Sequence, residues 1–274
     1  KQYIEKGKQI HSKALCREFM EKNIMLGAAL VDMYVKCHAL AKAQQVLERL
    51  PIRDVVCWNA LISGYAQHGH CNEAWNCLKR MQREGLSPDS VTFIAILKAC
   101  GSRGAIDKGK QIHDKILSTG LLDKDIVLGN SLVDMYAKFG MFERAKEVLE
   151  GLPTRDEVSW NTLISAYSWQ GQGETALYCF EEMKRDGFSP NIITFISILK
   201  ACGEIRDVDK GKEVHLDIER KGFLWKDVVL GTALVNMYAK CGLFVEARRM
   251  LEELPFRNVV AWSSLIGGHV QQEQ

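Results

Sequence analysis

The sequence lacks the features that would place a chain across a membrane. No apolar run approaches the roughly 20 residues that a membrane-spanning helix requires, so we expect no membrane partner. The chain begins without an initiator Met and without a charged and apolar leader. We therefore expect a mature or excised segment from which any targeting peptide is missing.

Paired cysteine motifs, proline and net charge are also scarce. Nine cysteines occur without a CxxC motif, which favours reduced thiols over a disulfide framework. Five prolines and no Ser/Gly-rich tract leave no visible linker. The net charge of +2 is too small to indicate a nucleic-acid partner by itself. With 47% apolar and 26% charged residues, the 274-residue chain has the composition of a folded protein with a sizeable core.

Residues 157–191 contain the structural unit that recurs along the chain. A first helix is predicted by four apolar residues at helical spacing, namely Trp160, Leu163, Ile164 and Tyr167. Gly171 and Gly173 then predict a turn. A second helix is predicted by a second apolar stripe, which consists of Ala176, Leu177, Phe180 and Met183. Two such helices leave much apolar surface uncovered, so the unit needs neighbours of its own kind.

Internal repeats supply those neighbours. The motif GKQIH at 7–11 returns at 109–113 and, as GKEVH, at 211–215, which is a shift of 102 residues each time. Each period divides into units of 35, 36 and 31 residues. The result is seven complete units with a partial unit at each end: 1–23, 24–54, 55–89, 90–125, 126–156, 157–191, 192–227, 228–258 and 259–274. We predict an all-α fold, a single right-handed α-solenoid superhelix of stacked helix-turn-helix repeats.

A second stripe on the first helix of each unit is not used by the core. It occupies positions 2, 5, 9 and 13 of the unit, which advance by three, four and four residues. In 157–191 these positions hold Val158, Asn161, Ser165 and Trp169. Stacking of the units would align the stripes into a groove with a polar side chain between aliphatic ones. The sequence leaves a helix-capping or solvent-facing role for the Asn side chains open.

These residues resemble the pentatricopeptide repeat family, and within it the plant organellar PLS class. The units similar to P motifs are 55–89, 157–191 and the partial 259–274. Those similar to L motifs are 90–125, 192–227 and the partial 1–23. Those similar to S motifs are 24–54, 126–156 and 228–258. The resemblance implies that single-stranded RNA binds in the groove with one base read per repeat. That rule comes from the family and not from the spacing of this sequence.

The resemblance also implies which residues select the bases. In the family, position 5 and the last residue of the repeat choose the base, and an Asn amide matches a pyrimidine edge. The base implied is U for the pair of Asn59 with Asp89 and for the pair of Asn130 with Asp156. It is C, or less strongly U, for Asn161 with Asn191. It is A for Thr232 with Asn258. The pair of Ala28 with Asp54 departs from the known pairs. With the RNA 5′ end at the amino terminus, the complete units read N-U-N-U-C-N-A.

Other positions of the groove are implied to hold the RNA without reading it. The L units carry Ile94 with Asp125 and Ile196 with Asp227; because Ile forms no hydrogen bond, we expect these units to space the array. The aliphatic residues implied to sandwich the bases are Val56, Val91, Val127, Val158, Ile193 and Val229. Phosphate contacts are predicted for Lys36, Lys138 and Lys240, with solvated side chains as the open alternative.

Several further side chains deserve an interpretation. His11, His113 and His215 recur once per period, which favours packing over catalysis. His68, His70 and Cys71 are close in sequence, but the corresponding turn of 157–191 contains no metal-ligand residue types, so we expect a surface turn and no metal. Trp169 lies on the groove stripe, where stacking on a base and packing against the protein are both open.

The sequence predicts a targeting function and not catalysis. PLS proteins commonly end in a deaminase domain whose chemistry needs an HxE element and a CxxC pair, and the sequence has neither. We expect no enzyme and no cofactor, but the targeting part of an RNA-editing (C-to-U) or RNA-processing factor of a plastid or mitochondrion. Its expected partners are single-stranded RNA, multiple organellar RNA editing factor proteins, and a deaminase domain in cis or in trans. The alternative is a tetratricopeptide-like protein-binding scaffold, which shares the spacing of Trp58, Leu61, Tyr65 and Ala74.

Overall fold

Helical hairpins account for the whole described part of the chain. The structure, a computed structural model, describes residues 24–224, 227–254 and 262–263. These ranges contain fourteen α-helices, one short 3-10 helix and no strand. The helices belong to two compact units, residues 1–139 and residues 140–274. The partial repeat at 1–23 and nearly all of the one at 259–274 lie outside the described residues.

The described part of the first unit contains seven α-helices in two layers. They are α1 (Ile24–Lys36), α2 (Leu40–Arg49), α3 (Val55–Gln67), α4 (Cys71–Arg83), α5 (Ser90–Arg103), α6 (Ile106–Thr119) and α7 (Ile126–Lys138), with the 3-10 helix Leu121–Asp123 before α7. The odd-numbered helices pack side by side in chain order. The helices α2 and α4 each pack on the odd-numbered helix before and after them, and α6 packs on α5. One layer is therefore a continuous row of first helices.

The second unit repeats this arrangement. It contains α8 (Phe142–Gly151), α9 (Glu157–Trp169), α10 (Gly173–Arg185), α11 (Ile192–Ile205), α12 (Val208–Arg220), α13 (Val228–Lys240) and α14 (Phe244–Glu253). The helices α9, α11 and α13 form the row, and α10 and α12 pack between successive members of it. The predicted fold class, all-α with stacked helix-turn-helix repeats, is confirmed within each unit.

The predicted apolar stripes form the core. All four residues predicted for the first helix of 157–191 are buried, and so are Ala176, Phe180 and Met183 of α10. Leu177 is only half-buried because it lies on the flank of the stripe, and Cys179 takes the fourth buried place. Full burial of one large apolar side chain contributes about 1.5–3 kcal/mol, so these stripes supply the main driving force for stacking.

Gly171 and Gly173, which were both predicted to form the turn, have different roles. Gly171 has a φ of +74°, a left-handed conformation that is strained for other residues. Gly173 is the first residue of α10, and a Cβ there would lie 3.1 Å from the carbonyl oxygen of Ala201 and 2.6 Å from Cγ2 of Ile205. The turn prediction is right for Gly171 and wrong for Gly173, which allows α10 to approach α11 closely.

Two further sequence expectations concern membranes and thiols. Among the described helices, none has both the length and the apolar character needed to cross a bilayer. The eight cysteines in the described ranges are free thiols, and six of them are buried. Cys100 and Cys202, which recur one period apart, are both fully buried small residues of the core.

Candidate nucleic-acid interface

Exposed aliphatic side chains recur at position 2 of every complete unit. The six residues predicted to sandwich bases are between 53% and 61% exposed. Met25 occupies the same position in 24–54 and is also exposed. Met25 is not among the residues predicted to sandwich bases, although the register of the repeats assigns it to position 2. Such a regular set of exposed apolar side chains is typical of a binding surface.

A groove in the first unit brings five of the predicted residues together. It has a volume of about 540 Å³ and lies along the row of α1, α3 and α5. Its lining includes Val56, Val91, Asn59, Asp89 and Lys36. Small residues such as Ala28, Ser63 and Gly64 also line it. A concave surface with apolar walls and a few polar groups is the usual form of a ligand site.

The polar centre of this groove is a hydrogen-bonded network. The Nδ2 atom of Asn59 donates to Oδ1 and Oδ2 of Asp89 at 2.9 and 3.1 Å. The hydroxyl of Thr92 donates to Oδ1 of Asn59 at 2.5 Å. Asn59 is only 8% exposed and Thr92 is fully buried. Because both ends of the amide have a protein partner, the orientation of Asn59 is fixed before any ligand arrives.

The second unit contains a similar network around Asn161. The hydroxyl of Thr194 donates to Oδ1 of Asn161 at 2.5 Å, and Asn161 is 7% exposed. Asn191 replaces the carboxylate, and its Nδ2 donates to Oε2 of Glu157 at 3.4 Å. Within the part of the chain that the structure describes, Asn161 therefore lacks the carboxylate acceptor that Asp89 gives to Asn59. The two sites share their geometry but differ in charge.

The closing residues of the units are helix N-caps as well. The side chain of Asp89 accepts from the backbone N–H of Thr92 at 2.9 Å, and that of Asn191 accepts from the backbone N–H of Thr194 at 3.1 Å. The same capping role is found for Asp54, Asp125, Asp156 and Asp227. Loss of an N-cap costs about 1 kcal/mol. The capping role that the sequence left open thus falls on the closing residue, whereas the Asn at position 5 is buried beside it.

Three of the four remaining predicted base-selecting residues lie in the described part of the chain. Asn130 is 8% exposed on α7 of the first unit, and Asp156 caps α9 of the second unit. Thr232 on α13 donates its hydroxyl to the carbonyl oxygen of Val228 at 2.8 Å. Asn258 lies outside the described residues. Ile94 and Ile196 of the longer units are half-buried at the same helical position.

The three predicted phosphate-binding lysines have carboxylate neighbours. Lys36 and Lys138 each form an ion pair with the Asp one turn earlier on the same helix, at 2.7 and 2.6 Å. In the second unit, Nζ of Lys240 lies 4.0 Å from Glu204. All three side chains keep substantial exposure. Exposed pairs of this kind are weak, so the lysines remain available to an anion, at reduced net charge.

The histidine and cysteine residues of the turn after α3 have separate partners. Nε2 of His68 lies 2.6 Å from Nδ1 of His38, and Sγ of Cys71 lies 3.9 Å from Sγ of Cys100. The hydrogen bond with Cys100 lowers the pKa of the Cys71 thiol to about 7. In the described ranges, no group of three or more His, Cys, Asp or Glu residues is arranged to hold a metal ion.

The recurring histidines pack against tyrosines, as their periodicity predicts. Nδ1 of His113 and the hydroxyl of Tyr136 are hydrogen-bonded at 2.8 Å, and His215 and Tyr238 form the same bond at 2.8 Å. Burial lowers the pKa of His215, which favours a neutral ring. His11, the first of the series, lies outside the described residues.

Family models and relatives match this chain over most of its length. A model described as the PPR repeat family matches residues 53–102 and 155–204, and one described as the PPR repeat matches residues 130–156 and 232–259. A chloroplastic pentatricopeptide repeat-containing protein of Arabidopsis thaliana is 36% identical over 265 residues, which cover 97% of this chain and 42% of that protein. A mitochondrial protein of the same description and plant is 35% identical over 266 residues, covering 97% and 41%. The chain thus spans about two fifths of the length of these relatives.

Solved structures share the fold at lower sequence identity. The crystal structure of the pentatricopeptide repeat protein PPR10 from maize matches 87% of this chain and 36% of that chain, with a TM-score of 0.67 and 23% identity. The structure of PPR10 in complex with an 18-nt psaJ RNA element matches 97% and 40%, with a TM-score of 0.74 and 20% identity. These similarities confirm the predicted α-solenoid fold.

Proposed function

The chain belongs to the pentatricopeptide repeat family, and on that premise we propose that it binds single-stranded RNA sequence-specifically, with one base per repeat. The observation that supports this best is the hydrogen-bonded pair of buried Asn59 and half-buried Asp89 in a groove walled by exposed Val56 and Val91. A polar pair that is oriented in advance between two exposed aliphatic side chains suits a flat base with a hydrogen-bonding edge. The PPR10 structure with an RNA element adds to the proposal by analogy.

The base-reading step follows from the atoms that the network leaves unused. One N–H of the Asn59 amide goes to Asp89, and one lone pair of its oxygen goes to Thr92. The amide keeps a second N–H and a second lone pair, which together match the donor and acceptor of a pyrimidine edge. The family pairs then give U opposite 55–89 and 126–156, C opposite 157–191 and A opposite 228–258. The walls are supplied by the six position-2 aliphatics together with Met25.

We further propose that the repeats are of the PLS class, in the order given by the sequence. The supporting observation is the length of the second helix, which has ten residues in α2, α8 and α14 but thirteen or fourteen in α4, α6, α10 and α12. The shorter helices all belong to the 31-residue units. The 36-residue repeats, which carry Ile94 and Ile196 at position 5, would then space the array and leave their nucleotides unread.

In this proposal the chain is a targeting segment and carries no catalytic site or cofactor of its own. It would direct a C-to-U editing or processing activity to one transcript. We place it in a plastid or a mitochondrion because the names of its relatives include both organelles. A deaminase domain in cis or in trans would supply the chemistry, and multiple organellar RNA editing factor proteins would be partners. Lys36, Lys138 and Lys240 would contact phosphates along the groove.

The proposal is tested by competition between single-stranded and duplex RNA. The labelled probe is a single strand containing N-U-N-U-C-N-A, and the competitors are the same strand alone or paired with its complement. Each base must be unpaired before it can bind, which costs a few kcal/mol. The duplex should therefore be a weaker competitor than the single strand by roughly tenfold or more. Equal competition would overturn the proposal. The absence of RNA binding would overturn it too, and would favour the protein-binding scaffold.

A further inference from the structure

An exposed tryptophan lies on the groove stripe of the second unit. Trp169 ends α9, occupies position 13 of 157–191 and is 68% exposed. The ammonium of Lys200, from α11, lies 3.9 Å from the centre of its ring. The core does not use this ring. An ammonium at this distance over an indole forms a favourable cation–π contact, which orders the ring.

The partners of Lys200 hold it in this place. Its Nζ donates to the carbonyl oxygen of Ser168 at 3.1 Å and pairs with Glu204 at 3.4 Å. The hydroxyl of Ser168, the residue before Trp169, donates to the carbonyl oxygen of Ser197 at 2.6 Å and joins α9 to α11. The ring is therefore a fixed platform, with one face toward Lys200.

The equivalent position in the first unit belongs to the groove. Gln67 precedes Trp169 by one 102-residue period, and it lines the groove together with Val56 and Asn59. Trp169 lies eight residues after Asn161, about 12 Å along the helix. Lys200 comes from the next repeat, 192–227, in which Ile196 occupies position 5, the base-reading position. The platform thus lies between repeat 157–191, which reads a base, and repeat 192–227, which reads none.

We propose that the base of the unread nucleotide opposite 192–227, the sixth in N-U-N-U-C-N-A, turns out of the space between Ile193 and Val229 and stacks on the face of Trp169 away from Lys200. The inference rests on the proposed RNA binding. Every base has an aromatic face, so the platform accepts all four and a purine best, because it overlaps more of the indole. The sixth nucleotide thereby contributes affinity without being identified. The third, opposite 90–125 where Gln67 and Lys98 stand in place of Trp169 and Lys200, gains nothing of this kind.

The test uses 2-aminopurine, a fluorescent purine that is quenched on stacking, at the sixth nucleotide of the single-stranded RNA. The variant is Trp169→Gln, which installs the residue type found at the equivalent position of the first unit, Gln67, and leaves the buried core untouched. The wild-type complex should be dimmer than the variant complex. The variant should bind roughly five- to hundred-fold more weakly. An abasic sixth nucleotide should weaken binding by the wild type more than binding by the variant.

The internal control is 2-aminopurine at the third nucleotide, whose brightness should be the same in the wild-type and variant complexes. Equal brightness of both complexes at the sixth nucleotide, with the U and C preferences of the other units intact, would overturn the platform and leave the proposed function standing. Loss of affinity in the variant that an abasic sixth nucleotide does not reproduce in the wild type would also overturn it. Failure of the wild type to bind any single strand would overturn the proposed function itself.

Discussion

At the scale of single residues, the closing residue of each repeat has two tasks. Asp89 caps α5 through the N–H of Thr92 and also accepts from the amide of Asn59. Asp and Asn are about equally good N-caps, and both are far better than Ala. Exchange between Asp and Asn therefore changes the charge beside the base while the helix keeps its cap. This makes the closing position a place where specificity can vary without loss of fold.

The Asn161→Thr substitution should move the preference of 157–191 from C toward A. It reproduces the pair of Thr232 with Asn258, and a hydroxyl cannot make the paired donor and acceptor contact of an amide. Unpaired polar edges cost about 1–3 kcal/mol, or roughly five- to hundred-fold in relative affinity. Competition between RNAs that differ only at the fifth nucleotide measures the change. An unaltered ratio of C to A would show that Asn161 reads no base.

The thermal unfolding of this variant serves as its control. The hydroxyl of Thr194, which donates to Asn161, also lies 3.2 Å from Oδ1 of Asn191. It keeps an acceptor when Asn161 is replaced, so the melting temperature should change little. The preferences at the second and fourth nucleotides should also stay as they are, since other repeats read them.

The sequence could predict the position-5 amides but not what holds them. Asn59 and Asn161 follow from the register of the repeats. Thr92 and Thr194 are not predicted from the sequence, because position 3 lies on neither the core stripe nor the groove stripe. Their hydroxyls reach the amides only because consecutive first helices pack side by side. Contacts of this kind depend on the distance between elements, which periodicity does not contain.

At the scale of helices, close packing of the row depends on small residues. A Cβ at Gly64 of α3 would lie 2.5 Å from Cγ2 of Val35 on α1, and Val35 is itself buried. No such contact would arise at Gly151, the last residue of α8, where a Cβ would meet nothing within 4 Å. The two glycines are therefore a matched pair for measuring the packing of the row.

The Gly64→Ala substitution should destabilise the protein by about 1–3 kcal/mol, because the row must shift to accept the methyl group. The control, Gly151→Ala, should leave stability unchanged or raise it by about 0.5–1 kcal/mol, because Ala loses less entropy than Gly in a helix. Urea unfolding followed by circular dichroism gives both values. Equal effects of the two substitutions would show that α1 and α3 are not in such close contact.

Helix boundaries were largely readable from the sequence, and small residues were not. Apolar spacing and the glycines around 171 predicted two helices in 157–191, which the structure places at Glu157–Trp169 and Gly173–Arg185. Apolar spacing predicts Leu177 in the core, where the structure has Cys179. It also does not predict that Gly173 packs closely against α11. Both depend on how closely α10 approaches its neighbours.

At the scale of the whole molecule, RNA binding should depend only weakly on salt. The net charge is +2, and Lys36 and Lys138 already have an Asp partner. If about three lysines neutralise phosphates, log affinity should fall against log salt with a slope of about −2 for a single strand. Replacing Lys138 and Lys240 by Ala should make the slope shallower by about 1.4 and weaken all RNAs alike.

The control for this substitution is Lys110→Ala, since Lys110 is exposed on α6 and does not belong to the row of first helices. That variant should keep the salt slope of the wild type. If the loss in the Lys138 and Lys240 variant were confined to one RNA sequence, the lysines would be reading bases and the phosphate role would be wrong.

The central claim, that each repeat reads its base through position 5 and the closing residue, is tested most directly by a reciprocal exchange. The two variants are Asp89→Asn and Asn191→Asp, and both keep the N-cap of the following helix. Competition binding is measured with four RNAs that carry U or C at the second and at the fifth nucleotide. We predict that Asp89→Asn shifts the second nucleotide from U toward C and Asn191→Asp shifts the fifth from C toward U, each without effect on the other. Unchanged preferences in both variants, or equal changes at both nucleotides, would contradict the account.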